Sequence, residues 1–121
     1  MRPKKILLVD DEAEFSSTLA ERLTLRGFES DTAPDGESAL VKIEEEEWGV
    51  AVVDLMMPGM GGLAALKRIK AMRPDLPVIL LTGHGSTKEG MEGMSLGAFD
   101  YLIKPLAINE LIEKIYEALA G

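Results

Sequence analysis

The chain has no cysteine, a single histidine and few aromatic residues, which make up 5% of its 121 positions. The lack of cysteine excludes disulfide bonds, thiolate metal sites and a cysteine nucleophile. With one histidine, a structural zinc site built on histidine is not expected. No apolar run approaches the roughly 20 residues that cross a bilayer, and the run Ile6 to Val9 is too short for a signal peptide. We therefore expect a soluble, cytoplasmic protein that does not contact a membrane.

Basic residues are also scarce, since 13 lysines and arginines stand against 21 acidic residues and leave a net charge of −8. Direct nucleic-acid binding needs a clustered basic face that neutralises phosphates, so this activity is not expected. An acidic chain instead suits a bound cation or a partner with a basic surface. The length and the 46% of hydrophobic residues are typical of one folded domain, and we expect residues 1–121 to form it.

Apolar runs alternate with amphipathic stretches along the chain. Three continuous runs, at residues 6–9, 50–53 and 78–81, predict strands that are buried on both faces. Two more mixed segments, at 28–33 and around 99–103, predict strands that suit the edges of a sheet. Each strand is followed by a stretch with apolar residues at helical spacing. Five strands alternating with five helices predict an α/β fold whose parallel sheet is covered on both faces.

Polar residues follow four of these strands. They are Asp10, Asp11 and Glu12 after the first strand, Asp54 after the third, Thr82 after the fourth and Lys104 after the fifth. In an open parallel sheet, ligands bind at the carboxyl ends of the strands, where the strand order reverses. Clustered carboxylates need a cation among them, and Mg²⁺ bound to carboxylates leaves room for phosphate oxygens. Because an aspartate can form an aspartyl phosphate, the pattern predicts a site for phosphoryl transfer.

Four segments at these strand ends resemble the signature segments of the receiver domain of two-component response regulators. They are Val9–Glu12, Asp54–Gly62, Leu81–Gly83 and Gly97–Pro105, and the resemblance covers practically the whole chain. It implies a flavodoxin-like, doubly wound (βα)5 sandwich with strand order 2-1-3-4-5. It also implies a switch that accepts a phosphoryl group from a sensor histidine kinase or phosphotransfer protein, or from a small donor such as acetyl phosphate.

The resemblance further implies which residues hold the phosphoryl group and the metal ion. Asp54 matches the phosphoacceptor, and Lys104 matches the lysine that contacts the phosphoryl group, next to a Lys104–Pro105 bond of a kind that is cis in this family. The implied metal is Mg²⁺, with Mn²⁺ as a substitute. Asp11 matches its direct ligand and Asp10 a ligand that acts through water, and the set is completed by Asp54 and the backbone carbonyl of Met56.

Two residues are implied to carry the switch. Thr82 matches a hydroxyl that turns toward the phosphoryl group, and Tyr101 matches an aromatic residue whose rotamer reports the state. The state would then pass through the fourth helix, fifth strand and fifth helix to an output domain or a protein partner, and a homodimer can use the same face. A domain of this kind is not an enzyme beyond its own phosphorylation and dephosphorylation.

The fourth helix, predicted at residues 86–96, has an unusual composition. Ser86 and Glu89 form a capping box, yet Gly90 and Gly93 follow inside the helix and each costs about 1 kcal/mol relative to alanine. We therefore expect this helix to be marginally stable at rest and to shift its packing on phosphorylation. The fifth helix begins at Ala107, which offers no side-chain cap.

Three alternatives remain open at this point. A haloacid-dehalogenase-like phosphohydrolase also uses an aspartate nucleophile, but it needs a second acid two positions later, where Met56 stands. A flavin-binding module of similar topology needs a phosphate loop after the first strand, where the acidic residues 10–12 would repel phosphate. An inert, receiver-like interaction domain is the third alternative. His84, two positions after Thr82, is interpreted as a loop residue beside the site.

Overall fold

The computed structural model describes residues 3–83 and 87–121, and within them strands and helices alternate strictly. The strands are β1 (Lys5–Val9), β2 (Glu29–Ala33), β3 (Val50–Asp54), β4 (Val78–Thr82) and β5 (Asp100–Ile103). The helices are α1 (Ala13–Leu25), α2 (Gly36–Glu45), α3 (Gly62–Met72), α4 (Thr87–Ser95) and α5 (Ile108–Ala120). Every predicted strand and helix is therefore confirmed, with ends that differ by one or two residues. Ser86 and His84 lie outside the described residues, so the capping box and the loop position stay predictions.

The five strands form one parallel sheet in the order β2-β1-β3-β4-β5. This order confirms the flavodoxin-like arrangement and places the two mixed strands, β2 and β5, at the edges. The order reverses between β1 and β3, which lie side by side although β2 separates them in the sequence. The carboxyl ends of β1 and β3 therefore flank the crevice in which ligands of such sheets bind.

The core lies in two layers, one on each face of the sheet. Alternate strand residues such as Leu7 and Val53 pack with α2 and α3 residues, among them Ile43 and Leu66. The intervening strand residues pack with α1 and α5, and the buried members of this second cluster include Ile6, Val52, Leu19, Leu111 and Ile115. Because β1, β3 and β4 are buried on both faces, they need continuous apolar runs. This explains why those three strands carry the strongest sequence signal.

Helix ends follow the local sequence. α1 ends before Gly27, whose φ of 87° favours glycine. The side chain of Asp35 caps α2 by accepting a hydrogen bond of 2.8 Å from the Ser38 amide. α3 and α5 begin after Gly61 and Ala107, and neither residue provides a side-chain cap, which confirms the prediction made for Ala107. Among the described residues, no helix combines the length and apolarity that crossing a membrane requires.

Candidate functional site

Four strand ends place polar side chains at one edge of the sheet. Asp10 directly follows β1, and Asp54 is the last residue of β3, next to the paired residues Val9 and Val53. Thr82 ends β4, and Lys104 follows β5 and donates its backbone N–H to the Thr82 carbonyl at 2.7 Å. Parallel strands bring these residues together because their carboxyl ends meet at the same edge. The convergence predicted from the sequence is therefore present in the fold.

The ammonium group of Lys104 lies among three carboxylates. Its Nζ is 3.0 Å from Oε1 of Glu12, 3.1 Å from Oδ2 of Asp10 and 3.3 Å from Oδ2 of Asp54. The same Nζ lies 4.7 Å from the ring centroid of Phe15, within the range of a cation–π contact. A lysine that reaches from β5 thus bridges the ends of β1 and β3.

Asp54 is a buried carboxylate in an environment that makes it more basic. Its side chain is 5% exposed, and Oδ1 accepts a hydrogen bond of 3.1 Å from the Met56 amide. Burial raises the pKa of Asp54 to about 6; the Met56 amide counteracts the shift, the negative charge of Asp10 adds to it, and Lys104 opposes it. Near neutral pH this carboxyl is mostly ionised, and it is more basic than an exposed aspartate.

Lys104 is held in its charged form. Burial lowers the pKa of this ammonium, but hydrogen bonds to Glu12 and Asp10 and the charge of Asp54 outweigh burial and leave the pKa above its ordinary value. One ammonium faces three carboxylates, so the cluster carries two negative charges in excess when all three are ionised. This excess suits a further, divalent cation.

The carboxylate oxygens fit a metal ion. One oxygen each from Asp10, Glu12 and Asp54 lies within 4.8 Å of the other two. Hard carboxylate oxygens of this kind are the ligands that Mg²⁺ prefers. Asp11, in contrast, is exposed and lies outside this group of three, so its place in the ligand set stays a prediction. Met56 has an exposed side chain and supplies the amide that binds Asp54, while the role of its carbonyl also stays a prediction.

The two predicted switch residues lie on neighbouring strands. Thr82 is fully buried, and its hydroxyl is within 3.5 Å of the Leu102 carbonyl, to which it donates a weak hydrogen bond. Tyr101 is half-buried on β5 and packs against the α3 side of the core. The Lys104–Pro105 bond is cis, as the family resemblance implies. The roles of Thr82 and Tyr101 in switching stay predictions.

Two residues of the site were not predicted from the sequence. The sequence identifies Glu12 as an acid after β1 but assigns it no role, and Phe15 carries no sequence signal beyond that of an apolar residue of α1. The signal for Glu12 in the sequence is its position as the third consecutive acid at the end of β1, after Asp10 and Asp11. The contact between Phe15 and Lys104 spans 89 positions of sequence, and only the assembled fold brings these two residues together.

The sequence model of the response regulator receiver domain matches residues 6–116 of the chain. The chain belongs to this family. It is 40% identical over 114 residues to a probable transcriptional regulator ycf27 from Galdieria sulphuraria, a match that covers 94% of this chain and 44% of that protein. It is 37% identical over 107 residues to the two-component response regulator PhoP from Pseudomonas aeruginosa, covering 88% of this chain and 48% of PhoP. The receiver chain thus spans less than half the length of these curated relatives.

Solved structures of receiver domains share the fold. The receiver domain of NtrX from Brucella abortus superimposes with a TM-score of 0.92 at 35% sequence identity, covering 96% of this chain and 98% of that one. A response regulator receiver domain protein from Clostridium thermocellum gives a TM-score of 0.91 at 34% identity, with 96% and 94% coverage. Receiver domains act in phosphorylation-dependent signalling, and this membership disfavours the phosphohydrolase and flavin alternatives.

Proposed function

We propose that this receiver domain accepts a phosphoryl group on Asp54 and signals through the resulting change. The observation that carries the proposal is the position of the Lys104 ammonium, 3.3 Å from Oδ2 of the buried Asp54 and 3.1 Å from Oδ2 of Asp10. A basic carboxylate beside a fixed cation is the arrangement that a phosphoryl-accepting nucleophile needs, because positioning and charge stabilisation supply most of the catalysis of phosphoryl transfer.

The transfer step follows from the chemistry of the carboxylate. An oxygen of Asp54 forms a bond to phosphorus, while the bond from phosphorus to the imidazole nitrogen of a donor phosphohistidine breaks and its electron pair leaves with the imidazole. With acetyl phosphate, the phosphorus–oxygen bond breaks instead and acetate leaves. Asp54 is held in a buried position, and Lys104 is positioned to neutralise charge that develops on the phosphoryl oxygens.

The metal site is part of this proposal. Asp10, Asp11, Asp54 and the Met56 carbonyl are the predicted ligands, and the excess negative charge of the cluster in the structure supports a divalent cation there. Bound Mg²⁺, or Mn²⁺ in its place, would supply charge neutralisation for the phosphoryl oxygens. The chain's own contribution is to hold Asp10 and Asp54 at adjacent strand ends with their oxygens directed to one point.

The proposed signal passes through the strands and helices next to the site. Thr82 and Tyr101 would respond to the phosphoryl group and pass the change to α4, β5 and α5. The partners that we propose are a sensor histidine kinase or phosphotransfer protein as donor and an output domain or separate protein as target, with a homodimer through α4, β5 and α5 as a further arrangement. We also propose that residues 1–121 form one receiver domain, that it acts in the cytoplasm, and that it catalyses only its own phosphorylation and dephosphorylation.

Intact-mass measurement tests the phosphoryl chemistry directly. The wild-type chain and Asp54→Asn are incubated with acetyl phosphate, with and without Mg²⁺. We expect a labile adduct of one phosphoryl group that forms only when both Mg²⁺ and Asp54 are present. An adduct that persists in Asp54→Asn would place the acceptor elsewhere. Absence of an adduct, together with absence of Mg²⁺ binding in calorimetry, would favour the inert interaction domain.

A further inference from the structure

Glu12 is the most exposed of the three carboxylates that contact Lys104. Its side chain is 64% exposed, whereas those of Asp10 and Asp54 are 4% and 5% exposed. It nevertheless makes the shortest of the three contacts, 3.0 Å from Oε1 to Nζ. The ammonium of Lys104 therefore has two buried carboxylates on the inner side and Glu12 on the side of the solvent.

The backbone of Glu12 is fixed at this position. Glu12 precedes α1, and its N–H donates to Oδ1 of Asp10 at 2.9 Å. Its carbonyl accepts hydrogen bonds from the amide of Ser16 at 3.1 Å and from the Ser16 hydroxyl at 3.2 Å. The Glu12 side chain does not cap the helix, so it is free to bind Lys104. Contacts of the main chain thus hold Glu12 where its carboxylate reaches the ammonium.

We propose that Glu12 is a positioning residue that acts through Lys104, competing with the phosphoryl donor for the lysine ammonium. The proposal rests on the proposed function at Asp54. A dianionic donor that approaches from the solvent meets the Glu12 carboxylate next to the cation that it needs. Phe15 contacts the ammonium from a further side at 4.7 Å, so Glu12 is the charged partner that can move away without exposing a buried group.

Removal of the Glu12 charge is therefore expected to favour donor binding. Glu12→Gln keeps the size of the side chain and removes the negative charge beside Lys104. At saturating Mg²⁺ we expect KM for acetyl phosphate to fall about two- to fivefold, the range for an ion pair with one exposed member, with a smaller change in kcat. Glu14→Gln removes the same charge from an exposed position in the first turn of α1 and is expected to leave KM unchanged.

A double-mutant cycle separates an effect through Lys104 from a general effect of charge. In the Lys104→Met background, Glu12→Gln is expected to have no effect on KM, because the cation for which Glu12 and the donor compete is absent. An equal fall in KM with and without Lys104 would overturn the proposal, since it would show that Glu12 repels the donor directly. An equal effect of Glu14→Gln would overturn it as well.

A second measurement does not depend on phosphorylation. In metal-free protein labelled with ¹⁵N-lysine, hydrogen bonds to the carboxylates should slow exchange of the Lys104 ammonium protons, and Lys104→Met assigns their NMR signal. Glu12→Gln should accelerate this exchange and Glu14→Gln should not; an unchanged signal in Glu12→Gln overturns the proposal. If the signal responds but the wild-type chain neither forms a phosphoryl adduct nor binds Mg²⁺, the anchoring of Lys104 stands and the proposed function fails.

Discussion

Gly90 of α4 lies directly against the ring of Tyr101 on β5. A Cβ atom built on Gly90 would be 2.5 Å from Cδ2 of that ring, closer than real Cβ atoms approach other atoms. One turn along the helix, a Cβ on Gly93 would be 2.1 Å from Cδ1 of Leu80. The two glycines let α4 approach the sheet closely. Their cost in helix propensity is therefore accompanied by a packing role that composition alone does not show.

Gly93→Ala is expected to destabilise the fold, although alanine is the better helix former by about 1 kcal/mol. Leu80 is fully buried in the core, so its side chain can withdraw only by displacing core neighbours, and overpacking of a core costs roughly 1–3 kcal/mol. Net of the gain in helix propensity, we expect the free energy of unfolding, measured by urea denaturation, to fall by up to about 2 kcal/mol. Glu92→Ala, at the preceding exposed position of α4, is the control and should be neutral or stabilising. A gain in stability from Gly93→Ala would contradict the packing argument.

Gly90→Ala is expected to move the Tyr101 ring outward instead. Tyr101 is half-buried on the edge strand β5, so its ring can leave the contact by a change of rotamer. Aromatic NMR signals of Tyr101 should then broaden more strongly with a soluble paramagnetic agent, while those of the exposed Tyr116 serve as an internal reference. Unchanged broadening of the Tyr101 signals would show that α4 moves away from the ring.

Most of the fold could be predicted from local sequence patterns. The continuous runs 6–9, 50–53 and 78–81 specify buried strands because both faces of a central parallel strand need apolar side chains. For the same reason the mixed composition of β2 and β5 predicts edge positions, and the strand order confirms them. The role of Gly90 was not predictable in this way, because it depends on a contact with Tyr101, which belongs to a different element.

The site was predicted through strand ends rather than through distances. Asp10, Asp54 and Lys104 were expected to converge because parallel strands align their carboxyl ends, and their ion pairs confirm that convergence. Which of the acids after β1 joins the cluster depends on side-chain direction at the start of α1. Glu12 rather than Asp11 does so in the structure, and sequence spacing carries no information on that choice.

Asp54→Asn is expected to stabilise the metal-free protein in a pH-dependent manner. The folded pKa of about 6 lies above the ordinary value near 3.9, so the folded state binds more protons than the unfolded state between roughly pH 4 and pH 6. Wild-type stability therefore loses a contribution as pH rises through this window. The asparagine variant lacks this loss, and its advantage should grow by about 2 kcal/mol between pH 4 and pH 7.

Chemical denaturation in the presence of EDTA at several pH values checks this prediction. Asp75→Asn, at an exposed aspartate outside the cluster, provides the matched control. Its difference from the wild type in free energy of unfolding should stay nearly constant across the pH range. An advantage of Asp54→Asn that stays flat across the window, or that shrinks toward neutral pH, would mean that the charge of Asp54 is fully compensated by Lys104.

Lys104→Met is expected to make the fold depend on a divalent cation. The substitution leaves Asp10 and Asp54 buried without their cation, which costs on the order of 3 kcal/mol for a buried pair. Mg²⁺ binds the folded state and restores stability by linkage. Added MgCl₂ should therefore raise the midpoint of thermal unfolding more in Lys104→Met than in the wild type. Lys88→Met, at an exposed lysine of α4, should respond to Mg²⁺ like the wild type.

Ala107→Ser is expected to stabilise α5, whose first turn lacks a side-chain cap. Ala107 has φ of −77° and ψ of 133°, the extended backbone from which a serine hydroxyl can accept a hydrogen bond from an amide of the first turn. The expected gain in the free energy of unfolding is about 1 kcal/mol. Ala71→Ser, at an exposed position in the last turn of α3, introduces the same hydroxyl where the backbone amides are already bonded within the helix, and should cost a few tenths of a kcal/mol. Equal effects of the two serines in urea denaturation would rule out capping as the cause. A gain confined to position 107 would show that the added hydroxyl caps the first turn of α5.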